Sequence, residues 1–369
     1  MPESTSGIFY ISRSMLSQAN IPSGFHGTVK WQSPSNIALV KYWGKKGVQL
    51  PQNPSISFTL SNCRTETEIS FDVSDSFSFR FLFEDKENQT FAEKIEKFML
   101  GHVADFPWLD HLSLNVKSSN SFPHSSGIAS SAASMSALVL CLLDIDRMLK
   151  GEAEIDLQKA SYFARIASGS ASRSVYPVMA LWGKTNALAD SSDEYAVSLE
   201  NQINPIFKTY CDSILIVSDA TKSVSSRAGH ALMENNPYAA ARYAQANRNT
   251  ENLLAALRDG DLETFIQITE SEAMQLHALM MCSNPSFILM RPNSLNIINA
   301  VRQFRADSQL PLCFTLDAGP NVHLLYPKEY ADSVETFINE NLVQYCTDLK
   351  WIKDCVGNGP EKLLVTGEW

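Results

Sequence analysis

Residues 122–149 read FPHSSGIASSAASMSALVLCLLDIDRML, a loop of small, hydroxyl-bearing residues that leads directly into a helix apolar on nearly every side. Such a helix is typical of the centre of a domain. The first turn of a helix exposes unpaired N–H donors and a partial positive charge, so it binds phosphate. Gly127 permits close backbone approach, and Ser130 and Ser131 offer hydroxyls to phosphate or Mg²⁺. The stretch predicts a phosphate site, with a ligand-free serine cap as the alternative.

Strand patterns precede this helix and mostly helical patterns follow it. Residues 55–86 alternate between apolar and polar positions, which indicates an antiparallel or mixed sheet with one buried face. Residues 27–40 predict two strands separated by a break at the stretch SPSN, residues 33–36. The second half predicts strands and helices in runs, including one helix over about 225–258. Runs of this kind, rather than strict alternation, indicate α+β layers.

The length of the chain, 369 residues, is more than one hydrophobic core usually serves, so two domains are expected. A polar, turn-rich stretch at 185–210 predicts the boundary between them. We therefore expect a loosely ordered lead-in over residues 1–26, a first domain over residues 27–195 and a second domain over residues 196–369.

Composition excludes several classes of partner. The net charge is −10 and no strongly basic stretch offsets it, which argues against nucleic acid. The first residues lack the pattern of a signal peptide, and the longest apolar run is too short to span a bilayer. The seven cysteines are scattered without a CxxC pair, as expected of reduced thiols. We expect a soluble, cytoplasmic protein with neither disulfides nor a zinc site.

Residues 36–46, NIALVKYWGKK, place lysines and aromatic residues directly after an apolar stretch. Lys41 and Lys45 are four residues apart, so both can face one anion from a loop or a first helical turn. Most lysines are solvated surface charges, which is the alternative for Lys45 and Lys46. The stretch predicts an anion site close to the end of a strand.

Two further segments carry charged residues among small ones. In residues 164–174, ARIASGSASRS, the guanidinium of Arg173 offers a planar fork suited to a carboxylate; a flexible turn with a surface arginine is the alternative. In residues 316–321, LDAGPN, Asp317 lies at a tight turn between two apolar strands. An aspartate at a turn is usually structural, which is the alternative to a catalytic carboxylate.

These segments resemble known families. The serine loop resembles the ATP-phosphate loop of the GHMP kinase superfamily, with isoleucine at position 128 where leucine is usual. The other three segments resemble the mevalonate diphosphate decarboxylase family, through NIA-x-x-KYWGK, SGSASRS and DAGPN, in family order across roughly residues 35–321. The resemblance implies a two-domain GHMP kinase-like fold with mixed or antiparallel sheets backed by helices.

A fourth match is weaker. Residues 221–230, TKSVSSRAGH, resemble the family segment that places a serine and an arginine on the terminal phosphate of the substrate, which makes Ser226 and Arg227 candidates. Relatives often carry Lys-Lys where this chain has Thr221-Lys222, and Met where it has His230. The missing lysine leaves Lys222 as the candidate for that ATP contact, and a solvent-facing helix start is the alternative for the whole stretch.

The resemblance implies ATP-dependent decarboxylation of mevalonate 5-diphosphate to isopentenyl diphosphate by a homodimer. Asp317 accepts the proton of the tertiary hydroxyl, Lys41 supports Asp317, and Arg173 holds the carboxylate. The implied substrate contacts are Tyr42, Lys45, Ser168, Ser170, Arg173, Ser226 and Arg227. The implied ATP contacts are Pro123, Ser126, Gly127, Ala129, Ser130, Ser131 and Lys222, and Ser130 is also the candidate ligand for Mg²⁺.

Three alternatives stay open. A sister decarboxylase that takes mevalonate 5-phosphate would keep Asp317, Lys41 and Arg173 but loosen the grip on the diphosphate. A GHMP small-molecule kinase would phosphorylate without releasing CO₂, against which the carboxylate-binding Arg173 argues. A non-catalytic nucleotide-binding relative would bind ATP without turnover.

Overall fold

The structure, a computed structural model, describes residues 21–123, 128–220, 224 and 226–368. The strands of the first half are β1 (His26–Ala38), β2 (Lys45–Lys46), β3 (Leu50–Pro51), β4 (Ser55–Val73), β5 (Ser78–Phe83), β6 (Lys86–Glu87), β7 (Leu112–Asn120), β8 (Met179–Trp182) and β9 (Ala196–Ser198). Those of the second half are β10 (Cys211–Leu215), β11 (Cys313–Thr315), β12 (Val322–Tyr326), β13 (Trp351–Cys355) and β14 (Glu361–Glu368). The α-helices are α1 (Gln89–Leu100), α2 (Ser130–Lys150), α3 (Leu157–Ala167), α4 (Ser226–Ala231), α5 (Ala239–Asp259), α6 (Leu262–Met281), α7 (Pro292–Ser308) and α8 (Ala331–Phe337).

Two sheets organise the described residues. The first has the strand order β14-β1-β4-β7-β5-β6, with β8 paired to β4 and β9 paired to β8; its pairs are antiparallel except for β5 with β7. The second is antiparallel throughout, in the order β11-β12-β10-β13. Strand β7 alternates buried and exposed residues, as expected of a sheet with one face in the core. The predicted α+β class with mixed and antiparallel sheets is confirmed.

Helix α2 is the central buried helix that the sequence predicts. It packs on β1 and β4, and most of its residues are buried. Polar contacts fix its position: Trp31 donates its indole N–H to Asp144 at 2.9 Å, and Ser33 donates its hydroxyl to Ser136 at 2.7 Å. The helix follows Ala129, whose φ of 45° is left-handed, so the chain turns sharply into the first helical residue.

Some boundaries differ from the sequence prediction. Strand β1 is continuous, and the predicted break is a register shift between Pro34 and Asn36, because a strand accommodates a proline as a local irregularity. The helix predicted over residues 225–258 is two helices, α4 and α5, on either side of residues 232–238. Strand β13 was not predicted, because its sequence WIKDC is short and has no clear apolar alternation.

An apolar core joins the two sheets. It contains Ile37 and Phe58 from the first sheet together with Ile214 from the second and Phe265 from α6. The carboxylate of Asp354 on β13 accepts the backbone N–H groups of residues 61, 62 and 63 in β4 at 2.9, 2.8 and 2.7 Å. Strand β13 of the second sheet is therefore tied to β4 of the first.

The end of the chain returns to the first sheet. Strand β14 pairs antiparallel with β1, from His26 opposite Glu368 to Gln32 opposite Glu361. Most of the lead-in, residues 1–20, lies outside the described residues, and the division of the chain at residues 195 and 196 stays a prediction.

The seven cysteines are free thiols, five of them buried. Among the residues that the structure describes, no helix combines the length and the hydrophobicity needed to cross a bilayer.

Candidate active site

Lys41 and Asp317 form the centre of the site. Lys41 lies three residues beyond the end of β1, with its side chain 1% exposed, and its ammonium donates to Oδ1 of Asp317 at 2.8 Å and to the carbonyl of Ala38 at 2.5 Å. Burial lowers the pKa of the Lys41 ammonium, and the charge of Asp317 opposes that shift. The charge of Asp317 offsets part of the cost of burying the Lys41 ammonium.

The turn between β11 and β12 carries Asp317. It is held in place because Gly319 donates its N–H to the carbonyl of Asp317 at 2.7 Å, while Nε2 of His277 on α6 lies 3.2 Å from the same carbonyl. The side chain of Asp317 is 25% exposed, so its carboxylate is accessible to a ligand although Lys41 is not.

Arg173 lies beside this pair with one donor unused. It ends the short helical turn Gly169–Arg173 and is 2% exposed. Nε donates to Ser57 at 2.9 Å and to Asn36 at 3.4 Å, and Nη2 donates to Asn36 at 3.3 Å. Nη1 is buried with no hydrogen-bond partner among the described atoms, which is costly unless a ligand completes it.

The charge of Arg173 is maintained at neutral pH. Burial lowers the pKa of its guanidinium to about 10, and the negative charge of Asp317 counteracts that shift. The charge of Arg173 in turn lowers the pKa of Lys41, although by less than burial does. The structure therefore brings together Asp317, Lys41 and Arg173, which the sequence supplies from three distant segments.

Tyr42 supplies a second buried donor without a partner. Its ring lies 4.7 Å from that of Trp182 and 4.4 Å from that of His230, and its hydroxyl has no hydrogen-bond partner among the described residues. Burial raises the pKa of the Tyr42 phenol, so the hydroxyl keeps its proton and can donate. A Cβ at Gly169 would lie 2.9 Å from this hydroxyl, which requires glycine there.

The serine loop meets the serine-rich turn at the start of α2. The hydroxyls of Ser131 and Ser168 lie 2.7 Å apart, and Ser35 on β1 donates to the carbonyl of Ile128 at 2.5 Å. The carbonyl of Ser170 accepts from Asn36 at 3.2 Å. Ser130 begins α2 and accepts the hydroxyl of Ser134 at its own carbonyl. Hydroxyls from two segments thus converge at one helix N-terminus.

A small cavity of about 40 Å³ opens beside the same helix. It is lined by apolar side chains with a few polar groups at its rim, and its walls include Phe81, Phe83, Phe91, Lys94, Ser118 and Ser131. Ser131 therefore belongs both to this cavity and to the paired hydroxyls of the loop.

Several predicted site residues fall wholly or partly outside the described part of the chain. Ser126, Gly127 and Lys222 lie outside the described residues, as do the side chains of Ser226 and Arg227, whose backbones begin α4. Pro123 and Ala129 lie at the two ends of the gap in the loop. Lys45 lies on the β2–β3 hairpin, with its ammonium 3.4 Å from the side-chain oxygen of Gln49.

Three residues at the site were not predicted to act there. Asn36 and Ser57 hold the guanidinium of Arg173. Asn36 belongs to the stretch NIALVKYWGKK, whereas Ser57 is one of many polar residues on β4 and nothing in the sequence distinguishes it. His230 accepts the N–H of Gly44 at Nδ1, at 3.0 Å, and its ring lies against those of Tyr42 and Trp43. The sequence marked His230 only as a departure from relatives.

The site combines a carboxylate, a buried lysine and an arginine with a donor that is unsatisfied among the described residues, next to a serine-lined helix N-terminus. Such a combination is typical of an enzyme that acts on anionic small molecules. Together with the α+β fold, these residues define the class as an enzyme of small anionic substrates. Comparison with known proteins identifies the family.

Residues 33–196 match the family model of the diphosphomevalonate decarboxylase-like N-terminal domain, and residues 213–360 match that of the mevalonate 5-diphosphate decarboxylase C-terminal domain. The diphosphomevalonate decarboxylase of Candida albicans is 30% identical over 318 residues, 82% of this chain and 85% of that protein. The chain belongs to the diphosphomevalonate decarboxylase family. The second model ends at residue 360, just before the strand that returns to the first sheet.

Solved structures agree with this assignment. Mevalonate diphosphate decarboxylase from Staphylococcus aureus superimposes with a TM-score of 0.80 at 29% identity, over 92% of this chain and 98% of that one. A second structure, MDDEF in complex with MVAPP, AMPPCP and magnesium, gives a TM-score of 0.77 at 28% identity, over 92% and 99% of the two chains. A phosphomevalonate decarboxylase from Haloferax volcanii is also similar, with 24% identity over 80% of this chain and 87% of that one.

Proposed function

We propose that this chain catalyses the ATP-dependent decarboxylation of mevalonate 5-diphosphate to isopentenyl diphosphate, with release of ADP, phosphate and CO₂. The observation that carries the proposal is the pairing of Asp317 with buried Lys41 beside an arginine whose Nη1 has no partner among the described atoms. This arrangement offers a base for a hydroxyl and a donor for a carboxylate within one site, and a 3-hydroxy acid carries both groups.

Asp317 is the proposed base. Its accessible carboxylate takes the proton of the tertiary hydroxyl as the hydroxyl oxygen bonds to the γ-phosphorus of ATP and the bond to ADP breaks. The ammonium of Lys41, 2.8 Å away, stabilises the negative charge of Asp317 until that proton arrives. The new phosphate then leaves with the electrons of its C–O bond. The electrons of the bond to the carboxylate form the alkene, and CO₂ departs.

Arg173 is the proposed carboxylate ligand. Asn36 and Ser57 bind Nε and Nη2, so the guanidinium is held with Nη1 as the remaining donor. A substrate carboxylate bound to Nη1 lies on the same side of the site as Asp317 and Lys41. Because a guanidinium donates a hydrogen bond and not its proton, the bound carboxylate keeps its negative charge. Because Arg173 carries its charge at neutral pH, it binds the ionised acid, which is the form that loses CO₂.

The phosphate groups are assigned to the surrounding donors. We propose that the substrate diphosphate contacts Tyr42, Lys45, Ser168, Ser170, Ser226 and Arg227. The ATP phosphates are proposed to contact Pro123, Ser126, Gly127, Ala129, Ser130, Ser131 and Lys222. We place the adenine ring at the mouth of the small apolar cavity, because its phenylalanines suit a flat aromatic base and Ser131 lies next to the phosphate loop.

Mg²⁺ fits the same loop. Hydroxyl oxygens such as that of Ser130, together with ATP phosphates and water, are the oxygen ligands that Mg²⁺ accepts. When bound with the nucleotide, the ion supplies positive charge that offsets the charge on the transferred group. The related MDDEF structure contains magnesium with AMPPCP and MVAPP. The finer expectations of a homodimer, a cytoplasmic location and a domain boundary at residue 195 belong to the same proposal.

The test compares mevalonate 5-diphosphate with mevalonate 5-phosphate while CO₂ and ADP are both measured. The proposal expects equal amounts of CO₂ and ADP, and a kcat/KM higher for the diphosphate by about tenfold or more, the value of one well-placed charged contact. The similarity to the Haloferax volcanii enzyme favours the monophosphate as the second candidate, and the reverse preference would establish it. ADP without CO₂ would instead identify a kinase.

A further inference from the structure

Two helices of the second half hold the backbone of Lys41. Its N–H donates to Oε2 of Glu272 on α6 at 2.8 Å, and its carbonyl accepts from Nη2 of Arg242 on α5 at 3.1 Å. Asn53 donates to the same carbonyl, also at 3.1 Å. Both polar groups of the Lys41 peptide backbone are therefore bonded to side chains rather than to a strand or a helix.

Arg242 and Glu272 form one rigid unit. The guanidinium donates to both carboxylate oxygens at 2.6 Å, and the two side chains are 2% and 0% exposed. Asn249 donates to Oε1 of Glu272 at 2.7 Å, and Gln275 accepts from Arg242 at 3.0 Å. A bidentate, buried pair of this kind fixes direction as well as distance.

Helix α6 contacts both members of the central pair. Glu272 binds the backbone of Lys41, and His277, five residues later, lies 3.2 Å from the carbonyl of Asp317. The 2.8 Å contact between Lys41 and Asp317 thus lies within a frame that one helix holds at two points. Rotating or shifting that helix would move the ammonium relative to the carboxylate.

We propose that Arg242 and Glu272 are positioning residues. Their buried pair, on helices of the second half, holds the backbone of Lys41 from the first half and thereby orients its ammonium toward Asp317. The inference rests on the proposed function, because it assigns a role within that reaction. Stability alone does not explain the pair, since replacing a buried ion pair with apolar residues is often neutral or stabilising. Neither residue touches the substrate; each acts through Lys41.

The charge of Glu272 supports the same role. Burial lowers the pKa of Lys41, and the negative charges of Asp317 and Glu272 counteract this. The charged and titratable groups around Lys41 are Asp317, Glu272, Arg173, Arg242 and Asp212. Removing Glu272 alone would lower the pKa of Lys41 further, whereas removing Arg242 together with it takes away a positive charge that acts in the opposite direction.

The experiment uses the full-length double variant R242M/E272L, which leaves no unpaired charge. We expect the variant to fold with a modestly lower melting temperature, because the buried N–H of Lys41 loses its acceptor. Its kcat should fall by about 10²-fold, as expected of a small misplacement, and its KM for ATP should change less than about threefold. The matched control is R305M/E270L, which removes an ion pair from the side of α6 that faces α7. It should leave kcat and the pH profile unchanged.

A second variant keeps the inference testable if the double variant does not fold. R242K retains a cation against Glu272 but lacks the planar fork that reaches the carbonyl of Lys41 as well. We expect a smaller loss of kcat, about three- to tenfold, with little change in KM for ATP. Wild-type kcat in a folded R242M/E272L, or in R242K, would overturn the inference. A wild-type enzyme that releases no CO₂ would instead overturn the proposed function.

Discussion

The ammonium of Lys41 lies 2.8 Å from Oδ1 of Asp317, although 276 positions separate the two residues in the chain. Lys41 follows the end of a strand in the first sheet, and Asp317 follows a strand in the second. The lysine is buried and the aspartate is accessible, so the cation is shielded while the carboxylate can meet a substrate. The carboxylate that we propose as the base is thus held between the two sheets, and a shift of either sheet would change its distance from the Lys41 ammonium.

Replacing Asp317 with Asn removes the base without changing the shape of the side chain. We expect kcat for CO₂ release to fall by about 10³-fold or more, because the tertiary hydroxyl loses its proton acceptor. The fold should persist, since Lys41 can lose its proton once the negative charge is gone. The measurement is single-turnover CO₂ release alongside a thermal melt. Near-normal release from a folded variant would contradict the assignment.

Replacing Arg173 with Gln should weaken the binding of mevalonate 5-diphosphate but not that of ATP. The KM for mevalonate 5-diphosphate should rise by about 10- to 100-fold, the value of one charge-assisted contact, while the KM for ATP changes little. The control is an analogue whose carboxylate is replaced by a hydroxymethyl group. It should bind the wild type and the variant with similar affinity, and a large difference for that analogue would show that Arg173 does not bind the carboxylate.

The sequence indicated the fold class, the buried helix α2 and the three segments that meet at the site, because each depends on residues that are close together in the chain. It did not indicate what holds Arg173, since Asn36 and Ser57 reach the guanidinium only through strand pairing between β1 and β4. It also placed a strand break at Pro34, where backbone pairing with the neighbouring strand β4 keeps β1 continuous. Long-range pairing and burial thus decide what residue types and spacing leave open.

Replacing Tyr42 with Phe tests its unpartnered hydroxyl. Removing a buried hydroxyl that has no partner should leave the free energy of unfolding unchanged or slightly higher, while the KM for the substrate rises about tenfold through loss of one donor to the diphosphate. Tyr210→Phe is the matched control, because Tyr210 also has a buried hydroxyl without a partner among the described residues but lies in the core between the sheets. A rise in KM in both variants, or in neither, would remove Tyr42 from the diphosphate site.

His230 should make the stability of the protein depend on pH. Burial lowers its pKa from 6.5 to about 3 in the folded protein, and the positive charge of Lys45 adds to this shift. Between pH 6.5 and 3 the unfolded chain therefore binds a proton that the folded chain does not, so this contribution to stability is complete above pH 6.5 and is lost as the pH falls. The free energy of unfolding should decrease by up to about 1.4 kcal/mol for each pH unit below 6.

The variant His230→Met lacks this titration and should show a shallower decrease in urea unfolding measured at pH 4, 5, 6 and 7. Its KM for the substrate should also rise a few-fold at pH 7, because the N–H of Gly44 loses its acceptor and the turn that carries Tyr42 and Lys45 is held less firmly. His26→Met is the control, because the ring of His26 is exposed at the start of β1 and makes a local contact with the carbonyl of Gly24. If the His230 variant and the wild type lose stability at the same rate on acidification, His230 is not a neutral, buried support of the site.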